Sequence, residues 1–261
     1  MSTGAVPAVI SPDWPAPSRV RAASTERGVG VSEGPYARFN LGAHVGDDPE
    51  AVVANRDALI ETLGLASEPH WLDQVHGRAV LDLDAERGHS SISHREREIS
   101  APKADGAVTS HPGHACVVMT ADCVPVLFCD TAGTRVGIAH AGWRGLATGV
   151  LPATIASMGA DPARILVWLG PAIGQRAYEV GEEVRRALVG ADPGAAACFE
   201  PNEKGRWQAD LYGLARRVLE GVGVTAIYGG GFCTYTESER FFSHRREAPC
   251  GRMATLIWLD P

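Results

Sequence analysis

Apolar positions along this chain fall into two rhythms. Short apolar runs bounded by Gly, Asp or Thr read as strands: Arg78–Leu83, Ala104–Thr109, His114–Met119, Val124–Cys129, Arg135–Ala139, Arg164–Leu169, Val224–Tyr228 and Thr255–Leu259. Arg19 enters a further strand that gives way to loop by Gly30. Four stretches carry helical spacing: Asp48–Leu63, Gly145–Met158 despite Pro152, Glu179–Val189 and Ala209–Gly221. The first has the clearest ends, with Asp48 as N-cap, Pro49 at the first helical position and Gly64 as the stop. Its expected buried stripe is Val52, Ile60 and Leu63, and Arg56 falls on that stripe. Such an arginine either snorkels to the core's edge or turns its guanidinium inward toward an anion. Residues 1–18 are proline-rich and aperiodic, which predicts a poorly ordered tail. Asp84–Lys103 is polar, carries His89 and His94, and reads as a long surface loop. Helices and strands alternate without strict βαβ order and no linker divides them, so one α+β domain with a mixed sheet is expected over residues 19–261.

The pattern is most informative at Thr120–Gly145, where Val124–Cys129 and Arg135–Ala139 form a hairpin across Asp130–Gly133. If Asp130 pairs with Gly133 across a two-residue turn, Cys123 directly faces His140; a four-residue turn makes the contact diagonal. Directly opposed residues hold their Cβ atoms about 4.5–5.5 Å apart. A thiol and an imidazole at that distance suit a shared metal ion, or a thiolate with its base. Taken singly, Cys123 reads first as a small buried apolar group and His140 as a strand cap; their cross-strand coincidence is what favours chemistry. His76, beside Gly77 at a loop-to-strand junction, is the best third ligand, and two His with one Cys are an accepted catalytic zinc set. Beyond His140 the chain turns sharply into a helix whose first N–H groups, with Arg144, favour an anion. His111 and His114 are separated by Pro and Gly, which mark a solvated turn.

Composition narrows the function classes. At 45% apolar and 21% charged residues, the chain is an ordinary globular one. A net charge of −7 speaks against non-specific nucleic-acid binding. No run approaches the ~18 apolar residues of a membrane helix, and the first residues lack the basic and apolar regions of a secretory signal. The cysteines at 116, 123, 129, 198, 233 and 250 have no CxxC spacing, so neither a disulfide framework nor a zinc ribbon is expected, and the setting reads as cytoplasmic.

Nine blocks, in order, resemble one family: NLGAHVGDD, NR at 55–56, QVHG, KADGAVT, TADCVPVLF, AHAGWRG, GPAIG with YEVGEEV, FFSHRR, and GRMATLIWL. This is the YfiH-type family, known variously as multicopper polyphenol oxidase (laccase), peptidoglycan editing factor and purine nucleoside phosphorylase. The resemblance spans about residue 25 to the end. It implies a single α+β domain similar to a deamidating cysteine-hydrolase domain of bacterial toxins, with zinc on His76, Cys123 and His140. It also implies a zinc enzyme acting on purine nucleosides, by phosphorolysis with phosphate as co-substrate or by deamination of adenosine. On position and residue type, Arg56 and Arg144 would supply the field for phosphate, and Asn40 and His44 would contact the sugar or move protons. Gln74 and Asp122 would orient the ligands. The other readings are a hydrolase that removes misincorporated Ser from a cytoplasmic muramyl nucleotide, a metal-free hydrolase with Cys123 as nucleophile and His140 as base, and a structural zinc. Four-copper oxidase chemistry draws on His-x-His pairs, and this chain has nine histidines and no such pair; copper can still take the same His₂Cys set. A monomer is expected, with a small-molecule substrate and neither nucleic acid nor membrane as partner.

Overall fold

Two sheets lie face to face, and helices cover their outer faces. The computed structural model describes residues 6–85 and 101–261. Its strands are β1 (Val9–Ile10), β2 (Val20–Thr25), β3 (Val80–Asp82), β4 (Gly106–Thr109), β5 (Cys116–Thr120), β6 (Val124–Asp130), β7 (Val136–Ala141), β8 (Ile165–Leu169), β9 (Glu179–Val180), β10 (Phe199–Pro201), β11 (Trp207–Ala209), β12 (Ala226–Gly229) and β13 (Met253–Leu259). The helices are α1 (Pro49–Leu63), α2 (Trp143–Thr148), α3 (Val150–Met158), α4 (Glu182–Ala191), α5 (Leu211–Gly221) and α6 (His244–Glu247). The larger sheet has the order β12-β8-β6-β7-β4-β3, parallel at β12–β8 and β3–β4 and antiparallel elsewhere. The second sheet, β1-β2-β13-β5, is antiparallel, and β10-β11-β9 form a small third.

The near-continuous apolar runs follow from strands that are buried on both faces. Along β6, Val126 and Phe128 pack toward α2–α5, while Leu127 and Cys129 pack toward the second sheet. Along β13, Ile257 and Leu259 face the larger sheet, while Leu256 and Trp258 face away from it, into a cluster with Leu59 of α1. Each fully buried Leu, Ile or Phe contributes about 1.5–3 kcal/mol by leaving water, so the three apolar layers hold the stack together. His140 shares a face with Ile138, toward the gap between the two sheets.

Several expectations need correction. The β6–β7 turn has four residues between Asp130 and Arg135, so His140 pairs with Pro125. Cys123 is two residues before Pro125 and meets His140 diagonally, from the same face. Asp48 caps α1 and Gly64 ends it as expected, but the buried positions are Val52, Asn55, Arg56 and Leu59; Ile60 and Leu63 are only half-buried. The stretch 145–158 is two helices, because Gly149 at φ 91° closes α2 and opens α3. Glu179 and Val180 belong to β9, and α4 starts after Gly181. In the expected tail, Val9 and Ile10 pair with β2 and Trp14 packs on the core. The loop expectation for 84–103 falls largely on residues 86–100, outside the described residues.

Candidate active site

His76, Cys123 and His140 converge where β5 and β7 end and β6 begins. Their ligand atoms all lie within 4.8 Å of one another, and no other such group of three occurs among the described residues. The imidazoles of His76 and His140 meet edge to face, with ring centres 4.7 Å apart. His76 is exposed, Cys123 half-buried and His140 buried.

Two local backbone features build this convergence. Among the described residues, the non-glycine residues at positive φ are His76 (58°) and Asp122 (100°), both at this site. Such left-handed conformations cost about 1–2 kcal/mol each and persist where the surroundings hold them. Around His76, the N–H groups of Val75, His76 and Gly77 form a concave nest that donates to the Asp105 carboxylate at 3.3, 2.9 and 2.6 Å. At Asp122, the carboxylate accepts from the Thr234 hydroxyl and the Arg245 N–H, both at 2.7 Å. That contact ties the strand end bearing Cys123 to the segment leading into α6. Gly142 leaves the space in which the three donors meet. A Cβ there would stand 2.7 Å from Cys123 Sγ and 3.3 Å from His76 Cδ2.

Asp105 is fully buried and also accepts from His140 Nδ1 at 2.9 Å. Burial alone would raise its pKa, but the His140 ring and the Gly77 N–H outweigh that and hold it below the ordinary carboxylate range. Burial would likewise push the Cys123 thiol up, yet the His140 charge and the hydrogen bonds from both imidazoles hold it down at about 6. His140 is the complement: burial works against its charge, and Cys123 with Asp105 raises it to about 9. The two shifts run in opposite directions and each favours the charged form of its partner, the thiolate beside the imidazolium.

The donor set fits a metal ion. A tetrahedral zinc with Zn–N of about 2.0–2.1 Å and Zn–S of about 2.3 Å spaces its donors about 3.3–3.6 Å apart, which small side-chain movements reach from here. With Nδ1 committed to Asp105, His140 offers Nε2, and Gly142 keeps the centre clear of side chains.

Two adjoining chambers lie here, and the inner one opens on the centre. The inner one, 350 Å³, is lined by the three ligands with Tyr178, His244, Arg245 and Arg252 among others. An outer one, 460 Å³, has His44, Arg56, Trp71, Asp73 and Lys103 on its walls. His44, Gln74 and Met119 line both. Burial, then the charges of Arg252 and Arg56, hold His44 below its ordinary pKa, so it is neutral at neutral pH. The Tyr178 phenol is pushed up by burial and the nearby Cys123 charge.

The remaining sequence-derived residues divide clearly. Arg56 is buried, donates Nε and Nη2 to the Leu41 carbonyl, and lies 4.0 Å over the Trp71 ring. Its guanidinium is held inside the protein on that carbonyl and that ring. Asn40 is fully buried; its amide donates to Gly42 O and Asp47 and accepts from the Gly42 and Arg252 N–H groups, so it shapes the loop carrying His44. Gln74 clamps both backbone groups of Met119 at 2.8 and 2.7 Å. Neither Gln74 nor Asp122 makes a hydrogen bond to a ligand side chain; the residue that does is Asp105. Arg144 is exposed and rests 4.5 Å over Trp143; it does not line either chamber, although its charge reaches Tyr178 on the inner wall. The cations beside the centre are instead Arg245 and Arg252, from blocks singled out in the sequence without a role.

Comparison with known proteins agrees with this architecture. Residues 21–260 match the family model described as multi-copper polyphenol oxidoreductase laccase. A Pseudomonas aeruginosa protein named purine nucleoside phosphorylase is 53% identical over 252 residues, covering 96% of this chain and 98% of that one. Escherichia coli YfiH, also named a purine nucleoside phosphorylase, is 50% identical over 251 residues, covering 96% and 98%. Among solved structures, Neisseria meningitidis protein NMB0706 superposes with a TM-score of 0.89 at 47% identity, over 97% of this chain and 99% of that one. YlmD from Geobacillus stearothermophilus follows at 0.86 and 32%, over 94% and 93%. By sequence along nearly its whole length and by fold, the chain belongs to the YfiH family.

Proposed function

We propose that this chain is a purine nucleoside phosphorylase with a single zinc held by His76, Cys123 and His140. The observation that carries the reading is a metal-capable ligand set on the floor of a cation-walled chamber. It gains weight from relatives named for that activity, at 53% and 50% identity. When bound, the ion supplies a Lewis acid for a substrate oxygen or nitrogen. The protein's own groups do the rest. Arg245 and Arg252 offer positive charge for phosphate in the inner chamber, and Arg56 with Lys103 offers it in the outer one. Phosphorolysis breaks the C1′–N bond and forms a C1′–O bond to phosphate, so the leaving base needs a proton. His44 borders both chambers, and as a neutral imidazole it is placed to relay that proton, accepting one from dihydrogen phosphate at one ring nitrogen and giving one to the base from the other. The same centre supports adenosine deamination, in which water adds at C6 and ammonia leaves. A mononuclear centre also fits the one ligand group found among the described residues better than a multicopper cluster does.

A second reading rests on a separate observation. Cys123 at about 6, His140 beside it and Asp105 on His140 Nδ1 form a nucleophile, base and orienting carboxylate in sequence. That arrangement suits metal-free cleavage of an amide, such as the Ser-bearing muramyl nucleotide. Incubation with adenosine, inosine, guanosine and methylthioadenosine, with and without phosphate, decides between them. Free base and ribose 1-phosphate appearing only with phosphate is the expected result; inosine from adenosine without phosphate adds deamination. No nucleoside turnover, together with amide cleavage by zinc-free protein, would overturn the phosphorylase reading in favour of the hydrolase.

A further inference from the structure

We propose that Asp105 is the positioning residue of the centre: one buried carboxylate sets which nitrogen of His140 faces the ion and at the same time holds the loop that carries His76. The proposal rests on the metal reading above.

The β4–β7 register pairs Gly106 with Ala139, and one step further it sets Asp105 opposite His140. The His140 N–H donates to the Asp105 carbonyl at 2.7 Å, and the Asp105 N–H donates to Ala79 O at 2.9 Å, so the backbone of Asp105 is fixed on both sides. Four donors then meet its side chain. Oδ1 accepts from His140 Nδ1 and the His76 N–H, each at 2.9 Å. Oδ2 accepts from the Gly77 N–H at 2.6 Å and the Val75 N–H at 3.3 Å. Both oxygens face donors only. A carboxylate is the side chain that offers acceptors at both positions and no hydrogen.

This explains why the residue is Asp rather than Asn. An Asn amide directed at the nest would set N–H against N–H at Gly77 and push the His76 loop outward. Directed at His140, it would donate to Nδ1 and so move the imidazole proton to Nε2, the atom the metal needs. Either placement costs the centre one ligand. Glu does not replace it, because Asp105 is fully buried and its extra methylene has no space. Two of the three ligands therefore depend on one group, and the third, Cys123, is held separately through Asp122.

The test is zinc affinity by chelator competition on full-length wild type, D105N, H76A and the D105N/H76A double variant. D105N should bind zinc roughly 10–100-fold more weakly, as for other outer partners of metal-bound histidine. The double variant should bind more weakly than H76A alone, because Asp105 still sets His140, but should lose less than the sum of the two single losses, because Asp105 acts partly through His76. Zinc binding by D105N equal to wild type, or fully additive losses in the double variant, would overturn the proposal. If D105N does not fold, wild type loaded with ¹¹³Cd and labelled with ¹⁵N-histidine decides. Cadmium coupling to His140 Nε2 with the proton kept on Nδ1 supports the assignment, and coupling to Nδ1 overturns it. A wild type that binds neither metal would remove the metal reading itself and the proposal with it, a result distinct from either of these.

Discussion

Among the described residues, two clusters of imidazoles stand at nearly the same ring spacing. His76 and His140 stand 4.7 Å apart at an interplanar angle of 72°. His111 and His114 stand 4.8 Å apart at 27°, with His70 5.1 Å from His114. In the first pair the edge-to-face angle lets ring nitrogens converge with the Cys123 sulfur, and Asp105 fixes one ring through Nδ1. In the second the rings stack, His111 Nδ1 is engaged with the Pro112 carbonyl, and His114 Nδ1 is buried without a partner. Close imidazoles alone do not make a metal centre. Lone pairs must point to one place, and an acceptor behind each ring must decide which nitrogen carries the proton.

The largest expected effect comes from filling the space that makes convergence possible. G142A places a Cβ 2.7 Å from Cys123 Sγ, so bound zinc and phosphorolysis should both fall to background. The fold should survive at a cost of about 1–3 kcal/mol, read from the urea midpoint. A G142A protein that binds zinc normally would break the comparison.

A smaller effect is expected from a residue that serves the centre without holding it. H44N should lower kcat roughly 10²–10⁴-fold while zinc content stays at the wild-type level. The pH profile sharpens this. His44 is held below its ordinary 6.5 by burial and by Arg252 and Arg56, so the acid limb of kcat should lie below pH 6.5. Replacing Arg252 by Met should move that limb upward toward 6.5. An unmoved limb would assign it to another group.

The smallest effect belongs to the second cluster. H114L removes a buried nitrogen that has no partner, so stability at pH 8 should change by no more than about 0.5–1 kcal/mol. Burial and His111 lower the pKa of His114, so the unfolded chain binds its proton more readily than the folded one. The sign is thus a stability contribution present above pH 6.5 and lost as pH falls through the lowered folded value. Urea midpoints between pH 7 and pH 5 should fall less steeply in H114L than in wild type.

The same contrast shows what was legible in the sequence. The strand runs and capped helix α1 were readable because burial on both faces and an Asp-Pro start leave strong local marks. Cys123 and His140 were readable because a wrong turn length preserved the right parity: the register shifted by two, and both side chains kept the same face. Asp105 is harder to read, because it lies opposite His140 on β4, and the β6–β7 hairpin pattern holds no trace of that second neighbour. A lone acid ahead of a buried strand, in KADG, was the available signal. Arg245 and Arg252 reach the chamber from about a hundred residues away, through a segment tied in by Asp122 and Asn40, and local pattern holds no record of such contacts. Arg144 was placed by its neighbourhood in sequence, and the side chain instead lies on Trp143.

The most direct test of the central claim is zinc content per chain, measured side by side on wild type, C123A and H111A/H114A after identical purification. One zinc is expected in wild type, almost none in C123A and one in H111A/H114A. Zinc retained in C123A, or lost from H111A/H114A, would contradict the claim.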